Sequence, residues 1–194
     1  MHTTPIDPNI QLSKDQCSST DEEKVVMSKI PYREAIGSLM WAAVATWPDI
    51  AFAVSLLSQF LENPGEIHWK AVKRVMRYLK ETKNYKLTHG INHDGLLGHA
   101  DANWASQDHR HSISAYIFQI DGGSISWSCQ KQNMVTLSST EAEFIALTHA
   151  TKEALWHCGC KISSQKLYNH LNLPYESILT INLPSQLHMA TGNM

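Results

Sequence analysis

The segment at residues 135–147 constrains the fold most, because the backbone must change from an extended to a helical conformation within it. Its sequence is VTLSSTEAEFIAL, in which a β-branched run ends at a Ser-Ser-Thr cluster and helix-forming residues follow. A helix N-terminus has unpaired N–H groups and a partial positive charge, which a Ser or Thr cap and a first-turn Glu both satisfy. Two overlapping S/T-x-x-E capping boxes fit, one from Ser138 to Glu141 and one from Thr140 to Glu143. The segment therefore predicts the start of a helix, and each glutamate has a purely structural interpretation as its cap.

Hydrophobic residues before this helix alternate with the period of a β-strand. Three runs fit this pattern, at residues 96–105, 112–120 and 124–130. The Asp-Gly-Gly sequence between the last two predicts a hairpin, because glycine accepts the positive φ of a tight turn. A later apolar run at residues 177–183 predicts a fourth strand after the helix. The expected architecture of residues 91–194 is therefore α/β, with three antiparallel strands, a helix and a further strand.

The first half of the chain has a different character. Residues 1–29 are polar and contain two prolines, which predicts an extended tail or linker. Residues 30–90 have helical periodicity, and three helices are expected, at residues 31–47, 49–60 and 66–80. The third is amphipathic, and its polar side carries five cations, Lys70, Lys73, Arg74, Arg77 and Lys80. Such a side is either an ordinary solvated surface or a contact for a nucleic-acid backbone, which attracts clustered Lys and Arg regardless of base sequence.

Bulk charge does not favour a nucleic-acid binder, since 16 basic and 18 acidic residues leave a net charge of −2. Four cysteines without a regular framework predict free thiols and a reducing compartment. No apolar run approaches the ~18 residues that a membrane span requires, and the N-terminus lacks the pattern of a signal peptide. We therefore expect an intracellular protein, cytoplasmic or nuclear, with no membrane and no small-molecule substrate as partner.

Four longer motifs make the pattern specific. They read IPYREAIGSLMW, PDIAFAVSLLSQFLENPGEIHWKAVKRVMRYLK, HADANWA and VTLSSTEAEFIAL. In this order they resemble the end of the reverse transcriptase and the following ribonuclease H domain of a copia-type retrotransposon Pol polyprotein. The resemblance implies that residues 30–90 are a thumb-like helical segment and that residues 91–194 are a truncated ribonuclease H-like fold. It also implies an RNA–DNA hybrid as partner, held by the basic helix.

The resemblance further implies the chemistry of the site. Ribonuclease H cleavage uses two Mg²⁺ ions about 4 Å apart, held by carboxylates that offset their charge. By motif, Asp101 matches the first of the family's four acidic ligands and Glu141 the second, which leaves Glu143 as the capping partner of Thr140. The third position falls on Asn182 or Leu183, depending on a one-residue gap, and the fourth lies beyond the last residue of the chain.

Three hypotheses follow from this incomplete ligand set. The first is an inactive ribonuclease H-like remnant that binds nucleic acid weakly. The second is residual one-metal nuclease activity, or activity completed by carboxylates of a partner. The third is a non-enzymatic nucleic-acid-binding or interaction module reused by the host.

Overall fold

The computed structural model describes residues 4–90, 95–106, 110–170 and 179–182. The chain divides into two compact units, Met1–Lys86 and Leu87–Met194, and each is described here by itself. Across the described ranges, no helix combines the length and the apolar character that crossing a membrane demands.

The first unit is helical. Its four α-helices are α1 (Asp21–Ser28), α2 (Tyr32–Ala45), α3 (Ala51–Ser58) and α4 (Glu66–Thr82). The last three confirm the predicted helices at residues 31–47, 49–60 and 66–80. Pro48 starts a short 3-10 turn, Pro48–Ile50, that leads directly into α3. Proline suits this position because its fixed φ fits the first helical turn, where its missing N–H is not needed.

The prediction of an extended tail at residues 1–29 is wrong. Residues 21–28 form α1, whose N-terminal cap Thr20 accepts a hydrogen bond from the Glu23 N–H, while Glu23 accepts one from the Thr20 N–H. Leu12 and Met27 are buried, and Leu12 belongs to the main apolar cluster of the unit. A mainly polar segment can fold in this way because a few apolar residues suffice to anchor it. The Thr-x-x-Glu capping box at its start was the signal for the helix.

One histidine lies inside this apolar cluster. His68 has no exposed surface, its ring stacks on Phe60 with centroids 3.9 Å apart, and its Nδ1 accepts a hydrogen bond from the Gly65 N–H at 2.9 Å. Desolvation lowers the pKa of His68, opposed by a hydrogen bond with the Ser13 backbone. The residue therefore caps α4 as a neutral imidazole within the core.

The second unit contains a four-stranded sheet with the order β3-β2-β1-β4. Its elements are β1 (Leu96–Asn103), β2 (Ile113–Ile120), β3 (Gly123–Lys131), α5 (Ser139–His170) and β4 (Leu179–Asn182). The first three strands are antiparallel, and β4 pairs in parallel with β1. Asp121 and Gly122 both have positive φ, at 51° and 81°, as the hairpin prediction required. The α/β prediction of three antiparallel strands, a helix and a further strand is confirmed.

Helix α5 packs on one face of this sheet through small residues. Ala142, Ala146, Ala150 and Ala154 recur at every fourth position, and all four are buried. The ring of Phe118 lies where a side chain at Gly98 would be, and Gly98 and Phe118 are paired across β1 and β2. The alanine stripe and this glycine allow close approach, so the start of α5 is held near the end of β1.

Candidate carboxylate site and basic helix

A buried polar network joins the end of the sheet to the start of α5. The Gln132 side-chain amide donates to Ser114 Oγ at 2.8 Å and to the Ala142 carbonyl at 2.9 Å. Ser112 Oγ lies 2.9 Å from Thr136 Oγ1, and the two hydroxyls share a hydrogen bond. Directional bonds of this kind fix the geometry of the loop before α5 more narrowly than apolar contact does. The network therefore sets where the first turn of α5 meets the sheet.

Glu141 caps the helix. Its Oε2 accepts a hydrogen bond from the Leu137 N–H at 2.7 Å, and its own N–H donates to Ser138 Oγ at 3.1 Å. Ser138 also accepts the first helical hydrogen bond, from the Ala142 N–H. Of the two capping boxes in the sequence, the one from Ser138 to Glu141 forms, with the carboxylate reaching one residue further back than usual.

Glu143 instead lies beside Asp101. Its side chain is half-buried, and desolvation raises its pKa, followed by the negative charge of Asp101, while a hydrogen bond with the Ala102 backbone opposes the shift. Asp101 is exposed near the end of β1. Glu143 is therefore a glutamate of α5 that interacts electrostatically with the first-strand aspartate.

The hydrogen bonding of the two glutamates differs from the capping prediction. Glu141 caps the helix, and Glu143, predicted to be the cap, interacts with the charge of Asp101; the assignment of Asp101 and Glu141 as metal ligands stays a prediction. A separation of two residues along an α-helix is a rotation of about 200° around its axis, so the side chains of Glu141 and Glu143 leave the helix on opposite sides. Of the two, Glu143 interacts with the end of β1, through the charge of Asp101 and the Ala102 backbone.

No carboxylate stands at the position predicted for the third metal ligand. The Asn182 backbone pairs with His99 at the end of β4, two residues from Asp101 along β1, and Leu183 lies outside the described residues. Among the described residues, no three His, Cys, Asp or Glu side chains converge as metal ligands. The site built by this part of the chain therefore consists of two carboxylates.

Two adjacent carboxylates suit one hard cation. Mg²⁺ takes oxygen ligands, and a dication would offset both the desolvation and the repulsion by Asp101 that raise the pKa of Glu143. Two dications would bring four positive charges against two negative ones. Asp101 and Glu143 therefore fit a single divalent ion and leave a two-ion centre under-neutralised.

The five cations of the basic helix have different surroundings. Lys70 pairs with Glu66 at 2.9 Å, and Lys73 lies 6.0 Å from the centre of the Trp69 ring. Arg74 donates to Asp7 Oδ2 at 3.0 Å and to Thr4 Oγ1 at 3.2 Å. Arg77 and Lys80 are exposed on the same side of α4. Arg74 thus holds the N-terminal segment, a role that the sequence pattern did not indicate.

Transposon proteins are similar to this chain. It is 48% identical over 155 residues to the retrovirus-related Pol polyprotein from transposon TNT 1-94 of Nicotiana tabacum, which covers 79% of this chain and 12% of that polyprotein. Identity to the Pol polyprotein from transposon RE1 of Arabidopsis thaliana is 39% over 163 residues, 81% of this chain and 10% of that polyprotein. Secreted RxLR effector protein 161 of Plasmopara viticola is 46% identical over 134 residues, 67% of this chain and 93% of that protein.

The fold and the two carboxylates are those of an α/β domain with an acidic site, and the comparisons relate this domain to retrotransposon Pol polyproteins. The chain is similar to two of these polyproteins over about four fifths of its length and to RxLR effector protein 161 over about two thirds. It spans only 10–12% of the length of the two plant polyproteins. No protein-family model and no solved structure matches the chain.

Proposed function

We propose that the second unit is a ribonuclease H-like domain of a copia-type Pol polyprotein that holds one divalent ion and does not cleave RNA by itself. The observation that carries the proposal is the interaction of Glu143, in the first turns of α5, with the end of β1, through the charge of Asp101 and a hydrogen bond with the Ala102 backbone. The family resemblance implies a first-strand aspartate facing a first-helix glutamate at this place. The order of three antiparallel strands, a helix and a further strand supports the same fold.

Charge balance supports the lack of cleavage. The two-ion mechanism needs one ion to activate water and a second to stabilise the leaving oxygen. Asp101 and Glu143 supply two negative charges, and the residue at the end of β4 is the neutral Asn182. A single ion at this pair retains affinity for a phosphate backbone without completing the reaction.

The basic side of α4 supports a nucleic-acid partner. Lys73, Arg77 and Lys80 are exposed along one side of the helix, and phosphate contacts by such residues provide most sequence-independent affinity. In the proposed protein this side contacts the backbone of an RNA–DNA hybrid, as the thumb-like end of a reverse transcriptase would. Arg74 is excluded from this contact because it binds Asp7 and Thr4.

A metal-binding experiment tests the carboxylate pair. Mn²⁺ added to the full chain should broaden the NMR signals of Asp101 and Ala102, and Mg²⁺ should reverse the effect by competition. Glu143→Gln should abolish the broadening, whereas Glu141→Gln, the matched control two residues away, should leave it intact because glutamine also serves in a capping box. Broadening lost in Glu141→Gln and kept in Glu143→Gln would restore the original assignment and overturn this one.

A cleavage experiment tests the functional part of the proposal. The chain should bind an RNA–DNA hybrid with a salt dependence that falls when Lys73, Arg77 and Lys80 are changed together to Ala, and it should not cleave the hybrid in Mg²⁺ or Mn²⁺. Asn182→Asp should introduce cleavage if only the third carboxylate is lacking. Cleavage by the unchanged chain that disappears in Asp101→Asn would show an active nuclease and refute the inactive assignment.

A further inference from the structure

An apolar strip runs along the outer side of α2 in the first unit. This α2 strip consists of Gly37, Trp41 and Val44, whose spacing along the helix places them on one side of it. Trp41 is 74% exposed and Val44 is 72% exposed, whereas Leu39 on the opposite side of the helix is 4% exposed. Single exposed apolar residues are ordinary, but tryptophan is highly buried on average. Its exposure next to Val44 therefore favours a surface that contacts another molecule.

The α2 strip is also without charge. No charged residue occurs between Glu34 and Asp49 in the sequence. A phosphate backbone would find no cation here, and a strongly charged protein surface would lose hydration without gaining an ion pair. The strip therefore suits a partner surface that is itself apolar and uncharged, and a second copy of this chain supplies such a surface.

Gly37 leaves a gap in the strip. A Cβ atom built at this position would meet no atom within 4 Å among the described residues beyond its own helix backbone, so the ring of Trp41 in the same chain does not cover it. Glycine within a helix costs about 1 kcal/mol relative to alanine, but it lets another group approach the backbone closely. The gap is open from outside and can receive a large side chain of a second molecule.

A two-fold arrangement brings the large side chain and the gap together. If two copies of α2 cross antiparallel about an axis on the side opposite Leu39, residues equally far before and after position 39 face each other. Trp41 of each copy then faces Gly37 of the other copy, and Val44 faces Glu34 in the first helical turn, at the rim of the contact. Two copies that use the same patch in this way form an isologous interface, the commonest kind in homodimers.

We propose that the α2 strip is a self-association surface on which a second copy of this chain places its Trp41 against Gly37, with the reverse contact alongside. A buried aromatic side chain contributes about 150–250 Å², so two Trp41 and two Val44 side chains bury several hundred Å², less than the ~1,200 Å² of stable complexes. The dimer is therefore weak, with a Kd on the order of 0.1 mM. It uses no residue of the carboxylate pair or of the basic side of α4.

Sedimentation equilibrium of the full chain, from about 10 μM to about 1 mM, tests the proposal. The average mass should rise from that of a monomer toward that of a dimer. Trp41→Glu should abolish the rise, because it would place an unpaired charge in the contact. Trp156→Glu is the matched control, since Trp156 is 63% exposed on α5 of the second unit, and it should leave the association unchanged.

Gly37→Ala separates association from folding. The added methyl group has space in the monomer and alanine favours the helix, so the Tm measured at low concentration should stay equal or rise. The same methyl group occupies the space that Trp41 of the second copy needs, so the Kd of the dimer should increase by about tenfold. A chain that stays monomeric at about 1 mM would overturn the proposal and assign the α2 strip to a different partner. Tighter association in Gly37→Ala, or an equal loss in Trp156→Glu, would also overturn it.

Discussion

The two units of this chain are stabilised in different ways. The first places 15 buried residues in one apolar cluster that unites its helices. Among the described residues of the second unit, the corresponding cluster contains four, Leu96, Phe118, Ala150 and Ala154. Beside it lies a buried polar group, Ser112, Ser114, Gln132 and Thr136, which connects the strands to the start of α5.

This difference matters for function. Apolar burial is roughly proportional to area and has no direction, so it stabilises a helical unit without fixing individual atoms. Hydrogen bonds are directional and fix the loop that begins α5. Asp101 and Glu143 lie in the unit with the polar network. Precise placement of charged groups therefore coincides with directional bonding, and the following predictions test that comparison.

The largest effect is expected in the apolar cluster. Leu57 has no exposed surface, and Leu57→Ala should lower the free energy of unfolding of the first unit by about 2–5 kcal/mol. Val44 on α2 is 72% exposed, and Val44→Ala should change it by less than about 0.5 kcal/mol. Hydrogen exchange of the α3 and α4 amides measures both variants. Equal protection in the two would contradict an apolar core centred on α3.

A smaller effect is expected in the polar network. Gln132→Met keeps the length of the side chain but leaves Ser114 Oγ and the Ala142 carbonyl without their donor, at a cost of about 1–3 kcal/mol. Gln130→Met, two residues earlier in the chain and exposed near the end of β3, serves as control. Exchange of the β2 and α5 amides measures the difference. If Gln132→Met were neutral, packing alone would hold the second unit.

The first unit should also respond to pH through His68. Its pKa is lowered in the folded state, so the unfolded chain takes up a proton first as the pH falls through the ordinary histidine value of about 6.5. Stability from the neutral ring is therefore complete above that pH and decreases below it, by at most about 1.4 kcal/mol per pH unit. Protection of the α4 amides measured from pH 7.5 to 5 should show this slope.

His68→Gln is the matched variant for this prediction. Glutamine at the third helical position can still accept the Gly65 N–H, but it carries no titrating group. The slope between pH 7.5 and 5 should therefore decrease, with a lower overall stability because stacking on Phe60 is lost. An unchanged slope would assign the acid sensitivity to another residue.

The smallest effects are expected from surface ion pairs. Lys70 and Glu66 have exposed side chains, at 63% and 75%, so Lys70→Ala should cost no more than about 0.5 kcal/mol. Arg74 and Asp7 are less exposed, at 22% and 27%, and Arg74 also bonds Thr4. Arg74→Ala should therefore cost more and increase proteolysis within the first ten residues. A greater loss in Lys70→Ala would reverse this ranking.

Local sequence patterns determined much of the architecture. Period-two runs located β1, β2 and β3, and the Asp-Gly-Gly turn located their hairpin within a residue or two. Pro48 and the Asn-Pro-Gly sequence at residues 63–65 marked the boundaries between α2, α3 and α4. Such residues can be recognised from sequence because they act on the backbone next to them. The same method missed α1, whose single capping box was outweighed by the polar composition of residues 1–29.

The segment at residues 135–147 shows where sequence alone stops and tertiary structure decides. The overlapping Ser-x-x-Glu and Thr-x-x-Glu pairs are locally equivalent, so the sequence determined that a helix starts here and could not determine which glutamate caps it. The sheet and the Gln132 network fix the first turn of α5, in which Glu141 caps the helix and Glu143 interacts with the charge of Asp101. The role of Arg74 also depends on tertiary structure. Its partners Asp7 and Thr4 are about seventy residues away in the sequence, so no local pattern indicates them. A sequence pattern determines helices and strands because the interactions behind it are local. A functional site is formed by residues that are distant in the sequence and that only tertiary packing brings together.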